Sequence, residues 1–183
     1  MNRIGDWFQT YSGLAFYPMD PRPEEIRIED IAQGLAFQCR YNGHCREYFS
    51  VAQHSVLVSW IMEDLGLPPT YVFWGLMHDA AESYLGDMIR PLKRSMPEYR
   101  RVERKVMRAI AKRFGLIWPE PKEVKKYDNI VLAMERRDLM GPTPAGHTWG
   151  SIEGIKPPVA EITPVGPMAA KEMFLMRFEE VKP

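Results

Sequence analysis

The sequence has little of the chemistry that marks secreted or membrane proteins. Its 183 residues include only two cysteines, Cys39 and Cys45, which is too few for a disulfide framework in a chain of this size. The N-terminal segment lacks the apolar core of a signal peptide. No apolar run approaches the roughly 18–20 residues that a membrane span requires. We therefore expect a cytoplasmic protein that has no membrane partner.

An excess of either charge is also lacking. Lys and Arg together number 24, as do Asp and Glu, so the formal net charge is zero. Binding that neutralises a phosphate backbone usually needs a clear basic excess, so we expect no bulk nucleic-acid partner. The hydrophobic fraction of 45% is enough to bury a core, and the length favours one domain over residues 1–183.

Strand signals are scarce, whereas helical periodicity recurs along the chain, and this predicts an all-α fold of about six helices. Ser50 is a plausible N-cap for the second helix. The first segment, 1–23, is predicted to be irregular, and the Gly/Pro-rich stretch 141–164 a long surface loop. The predicted helices cover residues 24–34, 51–65, 68–84, 98–114, 119–140 and 166–181.

Four potential metal ligands fall on three of the predicted helices and face inward. His54 lies on the apolar stripe of the second helix, and Asp128 has apolar neighbours on its face of the fifth. His78 and Asp79 point about 100° apart and can converge on an ion between them. An aspartate on an apolar face is costly unless it is paired or binds a metal. Together the four side chains can surround one ion and leave positions open for water. Imidazole and carboxylate ligands suit zinc, cobalt, manganese or iron.

Each of these residues also has a plainer interpretation. A single inward histidine such as His54 is more often a hydrogen-bonded core residue, and Asp128 could pair with a buried lysine or arginine. A small structural zinc site over Cys39, His44, Cys45 and His54 is a further alternative, although its spacing differs from that of paired zinc ligands.

Basic residues crowd the helix predicted at 98–114. They fill the face opposite Val102, Val106 and Ile110, which predicts a solvated surface that could steer anionic substrates. These basic residues are Arg100, Arg101, Arg104, Lys105, Arg108, Lys112 and Arg113.

The order His54, His78-Asp79, Asp128 resembles the H…HD…D signature of HD-domain phosphohydrolases. The stretches FSVAQHS and MHDAAESYLGD, which contain these histidines, are similar to those of the deoxynucleotidase branch of that superfamily. The resemblance covers roughly residues 37–138. It implies a single helical HD domain that binds a divalent metal through these four residues.

The same resemblance implies roles for two carboxylates that follow the HD pair. Glu82 and Asp87 match the residues that act on the attacking water and on the leaving group. A carboxylate near a metal-bound water can take or return a proton, so this assignment is chemically sound. Their alternatives are an exposed helix residue for Glu82 and a helix-end turn residue for Asp87. A second ion such as magnesium is a further expectation.

Three cations fall beside this set, as nucleotide phosphates require. Arg40 precedes the second helix, Lys93 lies on the predicted loop after the HD segment, and Lys125 is three residues before the last ligand. The trio resembles the phosphate-binding residues of phage-type dATP triphosphohydrolases, which are small HD proteins. This implies cleavage of dATP at the α-phosphate to deoxyadenosine and triphosphate. It also implies a contribution of Tyr41 to the nucleoside pocket, and the host cytoplasm as the location if a phage encodes the chain.

Other functions remain open at this point. The same site could serve a 5′-deoxynucleotidase that releases phosphate from deoxynucleoside monophosphates, or a non-catalytic HD module that binds a nucleotide. Lys93 and Lys125 favour the longer, triphosphate substrate. The resemblance to small HD nucleotidases also implies a homo-oligomer.

Overall fold

The computed structural model describes residues 3–183 and confirms an all-α fold. Within this range a short antiparallel hairpin pairs β1 with β2, and eight α-helices follow. The strands are β1 (Phe8–Gln9) and β2 (Ala15–Phe16). The helices are α1 (Ile28–Ala36), α2 (Val51–Asp64), α3 (Pro69–Met77), α4 (Glu82–Leu85), α5 (Arg90–Ser95), α6 (Pro97–Phe114), α7 (Lys122–Leu139) and α8 (Pro167–Val181).

The helices that the sequence predicts best have clear local start and stop signals. The Ser50 hydroxyl accepts a hydrogen bond from the Gln53 backbone N–H at 3.1 Å, and so caps α2 as predicted. Helix α6 ends where Gly115 adopts a left-handed conformation, with φ at 69°. Helix α8 begins directly after Gly166. Ser50 and Gly115 thus each provide a hydrogen bond to a backbone group at a helix end.

The predicted helix over residues 68–84 is interrupted. Helix α3 ends at Met77, and the chain then makes tighter turns in which the Ala80 N–H bonds to the Met77 carbonyl and the Glu82 N–H to the Asp79 carbonyl. These bonds span three residues instead of four, which gives about three residues per turn. The short helix α4 follows, so His78 and Asp79 lie on a turn and not on a continuous helix.

Four other parts of the predicted secondary structure are wrong. The helix predicted over 24–34 is a short 3-10 turn, Pro23–Glu25, followed by α1 from Ile28. The loop predicted after Gly86 contains α5, which has a proline in its first turn, where its missing N–H costs nothing. The helix predicted from residue 119 begins at Lys122. The N-terminal segment, predicted to be irregular, contains the β-hairpin.

Helix α2 lies at the centre of the fold and packs against α1, α3, α7 and α8. It is buried along most of its length, and the main core around it includes Ile31, Val56, Trp74, Ile110 and Phe174. The polar side chains of Gln53, His54, Ser55 and Ser59 on α2 are therefore buried, whereas Glu63 and Asp64 at its end are exposed. None of the helices in residues 3–183 has the length and hydrophobicity needed to cross a membrane.

The stretch 141–164 has no helix or strand, as predicted, but it follows a defined path along α7. The Arg137 guanidinium donates to the carbonyls of Pro158 and Ala160, at 2.5 and 2.7 Å. The Asp138 carboxylate accepts from the Ile162 N–H at 2.9 Å. These bonds attach the loop to the last turn of α7.

Candidate metal centre

The four predicted ligands come together in the interior: His54 from α2, His78 and Asp79 from the turn after α3, and Asp128 from α7. His54 Nε2 lies 3.3 Å from both His78 Nε2 and Asp128 Oδ1. Asp79 Oδ2 lies 3.2 Å from His78 Nε2 and 3.8 Å from His54 Nε2. A tetrahedral ion with bonds of about 2.0–2.2 Å keeps its ligand atoms roughly 3.3–3.6 Å apart. The group of His54, His78 and Asp128 can hold a metal ion. Asp79 lies beside this group, next to the two histidines.

Both histidines are oriented by a bond to their other ring nitrogen. The Gly75 carbonyl can only accept, so His78 Nδ1 donates to it at 2.8 Å. His54 Nδ1 lies 2.6 Å from a carboxylate oxygen of Glu135. A hydrogen bond at Nδ1 orients each ring so that its Nε2 is directed at the cluster. This is the arrangement that a histidine ligand needs.

The cluster carries negative charge that its histidines alone do not balance. Burial would lower the pKa of His78, but the carboxylates of Asp79 and Asp128 outweigh it and raise that pKa to about 9. Burial would likewise raise the pKa of both aspartates. The neighbouring histidines outweigh it, so the pKa of each carboxyl is lowered. Two ionised carboxylates in the interior favour a bound cation.

Glu82 is the carboxylate best placed for proton transfer. It is only 4% exposed, and its Oε1 accepts from Lys93 Nζ at 3.0 Å. Its Oε2 is buried and has no hydrogen-bond partner among the described residues. Burial, with the charges of Asp79 and Asp87, raises the pKa of Glu82 well above its ordinary value. A carboxylate with a raised pKa and a free oxygen can accept a proton.

The sequence places Glu82 one helical turn after His78, and this part of the prediction is wrong because the helix ends before that turn. Glu82 instead belongs to α4. Asp79 and Glu82 are three residues apart. In a turn of about three residues they lie on the same side, so Glu82 still faces the cluster.

Asp87 is half-buried, and burial raises its pKa despite the opposing charge of Arg40.

Gln38 holds the segment that carries both carboxylates. Its Nε2 donates to the carbonyls of Gly34 and Glu82, at 3.0 and 2.9 Å, while its Oε1 accepts from the Asp87 N–H at 2.7 Å. Gly34 allows α1 to approach closely, since a Cβ atom there would lie 2.6 Å from the Ser83 carbonyl oxygen. Gly34 of α1 and Gln38, which follows that helix, therefore position Glu82 and Asp87, a role that the sequence does not suggest.

Glu135 is a second residue that sequence reasoning missed. It is fully buried, with one carboxylate oxygen on His54 and the other 3.1 Å from Arg40 Nη2. The Tyr41 hydroxyl donates to that second oxygen as well. Burial would raise the pKa of Glu135, but Arg40 and His54 lower it, so the carboxylate stays ionised. It links a metal-ligand candidate to two residues predicted to bind substrate.

A signal for Glu135 is present in the sequence. It lies seven residues, or two helical turns, after Asp128, so both carboxylates fall on one face of α7. The backbone of Tyr41 also marks this network, because its φ of 58° is in the left-handed region that non-glycine residues rarely adopt. The bond from Tyr41 to Glu135 holds a strained turn against the site.

A cavity of about 370 Å³ opens beside the cluster. Lys93 and Lys125 lie on its wall together with His78, Asp79, Glu82 and Asp128. The third predicted cation, Arg40, adjoins the ligand set from outside this cavity, 3.7 Å from Asp79 Oδ2. Arg40 and Tyr41 are not among its lining residues; they face Glu135 instead. Sequence reasoning did not single out Trp118 or Glu120, which also line this cavity.

A further cation lies on the other side of Asp128. Arg90 Nη2 is 3.7 Å from an Asp128 carboxylate oxygen, and its Nη1 donates to the Ser151 hydroxyl at 2.8 Å.

The alternative zinc site does not assemble in the described part of the chain. Cys39 and Cys45 are 3.6 Å apart at their sulfur atoms, but His54 belongs to the other cluster.

Comparison with known proteins finds two relatives and no matching family model. The chain is 39% identical to the uncharacterized protein YfdR of Escherichia coli strain K12, over 96% of this chain and 95% of that protein. It is 36% identical to an uncharacterized protein of Rhodobacter capsulatus, over 74% of each chain. Neither name states an activity, so function has to be argued from the site.

Proposed function

This chain belongs to the same family as YfdR of Escherichia coli, and from its site we propose that it is a metal-dependent deoxynucleotide phosphohydrolase of the HD type. The preferred reaction is hydrolysis of a deoxynucleoside triphosphate, foremost dATP, at the α-phosphate. The products are then the deoxynucleoside and inorganic triphosphate. Zinc, cobalt or manganese is the proposed ion at the ligand set.

One observation carries the proposal: a metal-ligand cluster and an unpartnered buried carboxylate oxygen lie on the same cavity wall. Burying Glu82 Oε2 without a hydrogen-bond partner costs free energy, which a substrate or water bound there would recover. The order of the ligands along the chain, His54, His78-Asp79 and Asp128, also supports the proposal, because it resembles the signature of HD-domain phosphohydrolases.

The protein side chains divide the chemistry between them. A divalent ion held by the four ligands would lower the pKa of a water molecule and polarise a phosphoryl oxygen. Glu82 Oε2 accepts the proton of the attacking water, because Lys93 occupies only the other oxygen. Asp87, whose pKa is raised, returns a proton to the leaving oxygen. Glu135 orients His54 so that its Nε2 is directed at the cluster.

Lys93 and Lys125 support the triphosphate because they add positive charge to the cavity next to the ligands. A second candidate, a 5′-deoxynucleotidase, is favoured by a different observation. Both lysines already have carboxylate partners, Lys93 in Glu82 and Glu103, and Lys125 in Asp128. A monophosphate carries fewer negative charges than a triphosphate, so its binding depends less on the positive charge of these two lysines.

The test is product analysis with each dNTP and dNMP in turn, using cobalt, manganese or zinc together with magnesium, and separating the products by ion exchange. We expect deoxyadenosine and intact triphosphate from dATP. Asp79→Ala should abolish the reaction, whereas Asp64→Ala, which changes an exposed aspartate at the end of α2, should not. Turnover of monophosphates alone would select the nucleotidase. No turnover with any metal would leave a binding module and end the enzyme proposal.

A second experiment separates the two substrates. Lys125→Ala should reduce triphosphate turnover far more than monophosphate turnover, and its exposed neighbour provides the control variant Lys126→Ala. Equal losses for both substrates would remove the argument for the triphosphate.

A further inference from the structure

A second cavity, of about 530 Å³, runs along the outer face of α6. We call it the arginine groove, and its lining consists of Pro97, Arg100, Arg101, Arg104, Lys105, Arg108 and Trp118. Arg100, Arg104 and Trp118 also line the cavity of the candidate metal centre. The two cavities therefore adjoin each other at these three side chains.

The two cavities differ in the charge of their lining residues. The cavity beside the metal-ligand cluster is lined by five carboxylates as well as by basic residues. The arginine groove is lined by five basic side chains and by no acidic one. Arg101 is the only one of them with an ion pair in residues 3–183, to the exposed Glu98 at 2.9 Å. A chain whose net charge is zero thus concentrates unpaired positive charge beside its candidate active site.

The spacing of these residues suits a linear anion. Arg100, Arg104 and Arg108 succeed one another at intervals of four along α6, so they rise by about 6 Å at each step on one side of the helix. Like charges four residues apart destabilise a helix. A bound polyanion would remove that repulsion.

Trp118 gives the groove a fixed inner wall. Its ring packs against Trp74, with 6.4 Å between centroids, and the Trp74 indole N–H donates to the Ile117 carbonyl at 2.8 Å. Trp74 is fully buried, so the segment that carries Trp118 is anchored to the core. The inner wall of the groove is therefore held in place, while its basic side chains are exposed.

We propose that the arginine groove binds a linear triphosphate group, either the tail of a deoxynucleoside triphosphate or free inorganic triphosphate. This rests on the proposed function, and it adds a site for the distal phosphates beyond Lys93 and Lys125. The size of the groove fits a small ligand, and the zero net charge argues against a nucleic-acid strand as its occupant.

Binding of inorganic triphosphate in the Asp79→Ala protein, measured by titration calorimetry, tests the site without turnover. Lys105→Ala and Arg108→Ala change residues that line only the groove, and both are exposed, so the fold should be unaffected. We expect Arg108→Ala to weaken binding about tenfold and the double variant to weaken it further, since each removes a charge-assisted contact. Lys112→Ala, an exposed lysine of α6 outside the groove, should bind like the parent.

The outcomes separate this inference from the proposed function. If dATP is hydrolysed but the groove variants bind triphosphate like the parent, the groove inference is wrong and the function stands. If triphosphate binding depends on the groove but no nucleotide is hydrolysed, the function is wrong and the groove stands. Comparing inorganic triphosphate with dATP shows which source is preferred. Stronger groove-dependent binding of a DNA oligonucleotide, or of deoxyadenosine alone, would overturn the inference.

Discussion

Replacing Glu135 by glutamine tests whether the metal centre depends on a residue that is not itself a predicted ligand. Glutamine keeps the shape of the side chain and can still accept a bond from His54 Nδ1. It removes the negative charge, and its amide would face the donors of Arg40 and Tyr41. The substitution therefore leaves the packing unchanged but removes the ion pair with Arg40 and the charge that faces His54.

The expected size of the effect follows from burial and distances. Without Glu135, the buried Arg40 guanidinium has Asp79 as its remaining carboxylate partner, at 3.7 Å. Removing one partner of a buried ion pair lowers the free energy of unfolding by about 3–5 kcal/mol. We expect a loss of about 3 kcal/mol, at the lower end of this range, because glutamine has the same shape as glutamate. In a domain of this length, that lowers the melting temperature by roughly 6–12 °C. Losing the carboxylate on a histidine ligand should weaken metal affinity about 10–100-fold.

The assay is competition for zinc or cobalt with a chromophoric chelator, well below the melting temperature, followed by thermal unfolding. Glu123→Gln changes an exposed glutamate of the same helix and should alter neither value. A Glu135→Gln protein that melts lower but binds metal within about twofold of the parent would refute the reasoning, because the residue would then serve stability alone.

Three further predictions concern single positions. Glu82→Gln should lower kcat by about 10²–10⁴-fold without loss of metal affinity, since it removes the proton acceptor and no ligand; steady-state kinetics with metal titration measures both. Gly34→Ala should cost about 1–3 kcal/mol of unfolding free energy in denaturant, because its Cβ would meet the Ser83 carbonyl oxygen at 2.6 Å. Asp138→Asn should cost about 1 kcal/mol at neutral pH, since it removes the carboxylate charge that pairs with Arg137. The hydrogen bond from Arg137 lowers the pKa of Asp138, so the stabilisation is present above its ordinary value of 3.8. It is lost as the pH falls through the lowered, folded-state pKa.

Matched variants and contrary outcomes accompany these predictions. Gly141→Ala, where an added Cβ has open space, should leave stability unchanged, and an equal loss there would contradict the packing argument. Retained turnover in Glu82→Gln would remove its role as the proton acceptor. If the difference between wild type and Asp138→Asn stayed constant into strongly acidic solution, the carboxylate charge would not be its source.

The sequence predicts helices and inward faces well because both depend on local periodicity. His54 and Asp128 lie on apolar stripes, and the structure confirms that both are buried. The Ser50 cap is equally local. The interruption after Met77 was missed because it depends on hydrogen bonds three residues apart, which an apolar run permits as readily as a continuous helix.

The network around Glu135 is not predictable in the same way. Its bonds to His54 and Arg40 join residues 81 and 95 positions apart. Periodicity can say that Glu135 faces inward but not which partner it meets there. The path of the stretch 141–164 also depends on distant bonds, from Arg137 and Asp138 to backbone groups of the loop.

The division of the ligands between distant helices has a consequence for biosynthesis. The first three ligand candidates, His54, His78 and Asp79, leave the ribosome well before α7, which begins at Lys122. Asp128, the last of the four, and Glu135, which orients the first, both lie on α7. A nascent chain therefore has no complete metal centre until that helix is synthesised and has packed against α2. A metal ion held by these side chains would therefore be bound only after most of the chain has been synthesised.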